Sequence, residues 1–136
     1  MATYNKFQCF VEDICEKKHN LGSDTLKVAL SNASNAPSAS ADVKLADITT
    51  VSVANLDSVT LTVSSSSQTS GTYKLVLADK TMTASGAVGP FQYVIIYNDT
   101  AANDELIAWY DYGSEVTLAS GDTFKLDFGT ELFSLA

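Results

Sequence analysis

The sequence predicts a mainly β fold: an antiparallel β-sandwich or jelly roll of about eight strands with one N-terminal amphipathic helix. Three observations predict it. Apolar residues first recur with a helical period and then, from Thr25 onward, with a period of two. Clusters of Ser, Asn, Asp and Gly punctuate the chain at short intervals. No helical pattern alternates with the strands, which argues against an α/β arrangement. The 136 residues are read as a single domain, 1–136, with the helix at about 4–19 and the sandwich at about 24–135.

Phe7, Phe10, Val11 and Ile14 fall at i, i+3, i+4 and i+7, the single-face pattern of an amphipathic helix. Thr3 is placed to cap its start, and Lys17, Lys18 and His19 to meet the negative end of its dipole. Asn20 and Gly22 follow as stop signals. Alternation then begins in "TLKVAL" and continues through "VKLADITTVSV", "LDSVTLTVS", "GTYKLVLADKTMTAS" (a strand or a pair), "PFQYVIIYN", "ELIAWYDY", "EVTL" and "TFKLDFG". The segments 31–42, 64–71, 84–90, 98–104 and 119–122 read as turns or exposed loops.

Two strands are apolar on both parities. In "FQYVIIY", Val94 and Ile96 oppose Phe91, Tyr93, Ile95 and Tyr97; in "LIAWYDY", Ile107 and Trp109 oppose Leu106, Ala108, Tyr110 and Tyr112. A sheet with one wet face does not carry that pattern, so the second face is expected under a cover. The N-terminal helix and a partner subunit are both candidates, and Ile96, Ile107 and Trp109 mark the covered face.

Composition excludes several classes of function. Sixteen acids against eight bases give a net charge of -8, leaving no surplus of cations to neutralise phosphates, so nucleic acid is not expected as a partner. No apolar run is long enough for a membrane span, and "KFQCFVEDICEKK" is too broken for a secretory core, so synthesis in a cytoplasm is expected. "NAS" at 32 and "NDT" at 98 are then chance matches to a glycosylation acceptor. Cys9 and Cys15 lie about 240° apart around a helix, so they read as reduced thiols and not as a bridge.

Catalytic apparatus is thin. A cupin-type metal centre needs several histidines, and His19 is the only one. It sits among charges at a helix end, where a solvated or dipole-capping role is expected. The serines have no other base and no G-x-S-x-G elbow. Asp99, Asn103, Asp104 and Glu105 form the densest oxygen cluster but lack calcium-loop spacing and read as a solvated turn. No cofactor, metal or enzymatic activity is expected.

The stretches "YNKFQCFVEDICEKKHNLGSDTLKVALSN", "LADIT" and "TSGTYKLVLADKTMTASGAVGPFQYVIIYNDTAANDELIAWYDYGSEVTLASGDTFKLDFG" resemble the capsid cement (decoration) proteins of tailed bacteriophages. The resemblance runs in order over most of the chain, leaving residues 31–44 and the tail "TELFSLA" unmatched. It implies a jelly-roll virion protein on the outer surface of the head, bound to the major capsid protein and self-associated as a homodimer or a trimer. It carries no catalytic or ligand motif. The alternative is a carbohydrate- or receptor-binding module of a tail or fibre, with Trp109, Tyr110 or Tyr112 on an exposed platform.

Overall fold

The computed structural model describes residues 2–136 and is mainly β, with every strand pair antiparallel. In chain order the elements are β1 (Thr3–Lys6), α1 (Cys9–Cys15), β2 (Leu26–Ser31), β3 (Val63–Thr69), β4 (Thr72–Leu77), β5 (Lys80–Thr83), β6 (Val88–Asn98), β7 (Leu106–Leu118), β8 (Thr123–Leu126) and β9 (Phe133–Leu135). Single 3-10 turns occupy Ala33–Asn35 and Leu45–Asp47. Three sheets result, ordered β1-β7-β6-β2, β3-β4-β9 and β5-β8.

The N-terminus departs from the expected helix over 4–19. Residues 3–6 instead pair with β7, Thr3 opposite Asp111 through Lys6 opposite Ala108, and the helix is confined to seven residues. The non-local pairing satisfies β7's free backbone groups and splits the apolar stripe. Phe7 stacks on Trp109, with ring centroids 4.5 Å apart, whereas Phe10 enters the main core and Val11 is left half exposed. Helical spacing was present, but no single face existed for it to bury. Lys17, in the left-handed region at φ 64°, ends the turn.

Two predicted strands, 43–53 and 56–64, are also corrected. They run as irregular chain with isolated bridges at Val51 and Thr60, and they seal the outer edge of β2: Val51 N–H donates to Leu30 O, and Val28 N–H to Val59 O. The loop expected at 64–71 is instead β3, whose Ser-rich sequence suits an exposed strand. Ser70 (φ 53°) and Gly71 (φ 83°) then form a two-residue hairpin turn into β4, with both central residues at the positive φ that the strand twist favours.

β6 and β7 are the long spine. Their register is irregular: between Tyr93↔Asp111 and Phe91↔Val116, β7 advances far more than β6, so residues 112–115 bulge toward solvent. "ELIAWYDY" and "EVTL" are thus one strand. At the other end of the pair, Ile96 faces Ala108 and Tyr97 faces Leu106, leaving Ile107 as an extra residue that inverts the side-chain parity. The main core draws on all three sheets: Val28, Ile96 and Ile107 from the first, Leu75 and Leu77 from the second, Met82 and Leu126 from the third. Phe10 of α1 packs edge-on against Phe133 of β9.

Candidate interaction surface

The β6–β7 register, which sets Trp109 opposite Ile95, and the bulge at Ile107 decide where the three residues marked for a covered face lie. All are buried, but not together. Ile96 and Ile107 sit in the main core, whereas Trp109 belongs to a smaller cluster on the opposite side of the sheet with Phe7, Ala29, Ile48, Ile95 and Leu106. That second face does carry a cover, formed by Phe7 and the 39–48 connection (Ala39, Leu45, Ile48), with Trp109 only 7% exposed beneath it. The cover is therefore mainly a loop of this chain, to which the helix adds only its first residue, Cys9.

His19 is also placed differently from its expected solvated position. It is buried, its ring edge-on to Phe10 at 5.2 Å, and Asn98 Nδ2 donates to its Nδ1 at 2.9 Å. The same amide nitrogen donates to Asp24 Oδ2 at 2.7 Å, while Asn98 Oδ1 accepts from the amides of Thr100 and Ala101. Accepting at Nδ1 leaves the imidazole proton on Nε2 in the neutral ring. Burial lowers the His19 pKa below the usual histidine value, with Asp13, Glu105 and Asp24 opposing that shift. The network fixes the β6–β7 turn. Within that turn Asp99 pairs with Lys27 at 3.0 Å and Glu105 accepts from Asn103, so these two carboxylates are engaged in internal contacts.

Chemical groups do not converge elsewhere. No three His, Cys, Asp or Glu among the described residues are grouped to hold a metal ion. The Cys9 thiol is pushed up to about 11 by burial and by Asp13, which makes it a poor nucleophile, and Cys15 is a free, exposed thiol.

The feature that stands out is a trough along β1. The inner face of the four-stranded sheet is not closed over at this edge. A hollow of about 620 Å³ lies between Tyr4, Tyr110, Tyr112, Phe124 and Phe128, with Lys125, Asp127 and Glu131 on its rim. A second hollow, of about 380 Å³, continues it between Tyr4 and Lys6 of β1, Val11, Ile14 and Cys15 of α1, and Leu132–Leu135 at β9. Tyr4 and Leu132 line both.

Of the five large hydrophobic side chains exposed among the described residues, Tyr4, Val11, Tyr112 and Leu135 stand on this trough, at 37%, 51%, 42% and 53%, and Val43 lies elsewhere. Burial pushes the Tyr4 hydroxyl up to about 12 and raises that of Tyr110, so both stay neutral donors at ordinary pH. The sequence reading missed this surface because Tyr4 lay in an expected helix and Leu135 in a tail without a strand pattern. The one available signal was the placing of Tyr110 and Tyr112 on an exposed platform in the carbohydrate-binding alternative.

Neither a protein family profile, a curated protein nor a solved structure matches the chain.

Proposed function

We propose that this chain is a structural, non-enzymatic virion protein: a capsid cement protein on the outer surface of a phage head. In this reading it binds the major capsid protein lattice, self-associates, and stabilises the shell. The three antiparallel sheets are read as a jelly-roll-like sandwich. The apolar trough is the observation that carries the proposal: four exposed apolar side chains gathered at one open sheet edge suit burial against another protein. The sequence resemblance supplies the shell as that protein. Repeated modest contacts across neighbouring capsomers would lock a shell by multivalency, and the net charge of -8 suits a position away from packaged DNA.

The test is sedimentation of the purified protein with heads that lack it, followed by counting copies per head. Saturation at a stoichiometry set by the lattice, with added resistance to heat, is the expected result. Absence of binding overturns the proposal.

One observation favours the carbohydrate-binding alternative. Trp109 is buried and contributes no platform, but the five aromatic rings of the larger hollow and the Asp127 and Glu131 carboxylates offer a stacking surface beside hydrogen-bond acceptors. Binding on a glycan array, lost in Tyr112→Ala, supports that reading; a blank array removes it.

A further inference from the structure

We infer that two copies of this chain join edge to edge through β1, in one specified register, with a two-fold axis at Asn5. The inference deepens the self-association in the proposal above and rests on that reading for its biological setting, although its geometry comes from the sheet alone.

The two edges of the four-stranded sheet are treated differently. The β2 edge is sealed by the 51–61 chain, which bonds to Leu26, Val28 and Leu30. The β1 edge has no such cover: among the described residues no further strand or backbone segment bonds to residues 3–6. An unsealed edge is a template for another strand unless shortness, proline, charge or a bulge blunts it, and β1 has its four-residue length and Lys6 as blunting features. "TYNK" is regular, contains no proline and carries one charge, Lys6, which makes no ion pair among the described residues.

The register follows from the hydrogen-bond alternation. Phe7 N–H donates to Ile107 O at 3.2 Å, so Phe7 and, two and four residues earlier, Asn5 and Thr3 turn their main-chain groups toward β7. The N–H and C=O groups of Tyr4 and Lys6 therefore point outward. An antiparallel partner must set its own Tyr4 and Lys6 against them. Centring the pair on Lys6 would oppose two ammonium groups, and centring it on Tyr4 would set each Lys6 ammonium against the methyl group of Ala2, without an aromatic ring to meet it. Centring it on Asn5 places each Lys6 opposite Tyr4 of the other copy, on one face, with all outward groups exchanged and no like charges opposed.

Both sheets then continue as one, with inner faces on the same side. The two troughs meet mouth to mouth, and Tyr4, Val11 and Leu135 are the exposed apolar side chains at the junction. Four residues of pairing reach only about 13 Å, so this apolar surface must supply the remainder of a stable interface. A second copy is the occupant that the edge favours because it satisfies the outward groups and the lone Lys6 simultaneously.

Asn5 faces itself across the axis, which makes the register testable. Wild type, Asn5→Asp, Asn5→Lys and an equal mixture of the two variants would be compared by native mass spectrometry and sedimentation velocity, with circular dichroism and melting to confirm folding. We expect a wild-type dimer. Each variant should dissociate at about fivefold or more higher concentration, since like charges then face each other. In the mixture, heterodimers of one Asn5→Asp chain with one Asn5→Lys chain should form in preference to both homodimers, because the substituted side chains then meet with opposite charge.

A wild-type protein that stays monomeric overturns the inference, as does a dimer that ignores both Asn5 variants. The sedimentation test with heads reads the parent proposal separately. A monomer that saturates heads sinks the edge pairing and leaves the shell reading standing; a β1-paired dimer that ignores heads does the reverse.

Discussion

His19 shows how far one buried polar residue can set solution behaviour. Its ring is packed on Phe10 and accepts from Asn98, so the neutral form fits the site and burial holds the folded-state pKa below the unfolded value of about 6.5. A depressed histidine pKa means that the unfolded chain binds the proton more readily. Its contribution is present in full above about pH 6.5 and is lost as pH falls through the folded-state value. Urea unfolding at pH 7.5 and 5.5 should therefore give a lower midpoint at the acid pH, and His19→Gln should shrink that difference. An unchanged difference would assign the acid loss to groups other than His19.

Among the elements, the cover over the outer sheet face is built from an irregular connection and not from regular structure. Trp109 is held there by Phe7 and the 39–48 connection. Truncating a buried tryptophan leaves a cavity that neighbours fill only in part, so Trp109→Ala should cost about 3–5 kcal/mol in chemical denaturation. Its oligomer mass should remain that of wild type, because the side chain lies beneath its own chain's cover and truncation leaves the main-chain pairing with Asn5 in place. A change in mass without loss of stability would place the subunit contact on the Trp109 face instead. Gly89 illustrates a different constraint on strand packing: at φ +108° in β6, a Cβ there would approach Val116 O to 2.6 Å, so the close passage of β6 and β7 requires glycine.

Over the whole molecule, three small sheets share one interior. Strands of each contribute to the same cluster, from Leu30 and Val94 through Leu75 to Met82 and Leu126, so none has a separate core to retain when the others open. Equilibrium unfolding should be a single transition, coincident by tryptophan fluorescence and far-ultraviolet circular dichroism. Two separated transitions would show that one sheet unfolds on its own.

The mainly β class, the period-two segments that became β2, β4, β6, β7 and β8, and the turns at 98–104 and 119–122 were all legible in the order of residues. Local alternation and turn chemistry carry that information within a few residues. The apolar character of both faces of the β6–β7 spine was legible too, since alternation is conspicuous wherever it fails. Long-range packing alone made Thr3–Lys6 a strand, made Ile107 the bulge residue that faces away from Trp109, and made an irregular connection the cover. Each depends on a partner distant in the chain, so competition between local helical spacing and non-local pairing could be resolved only when β7 stood beside it. The trough belongs to the same category: Tyr4, Val11, Tyr112 and Leu135 are scattered in sequence and become one surface only where an open sheet edge meets α1, β8 and β9.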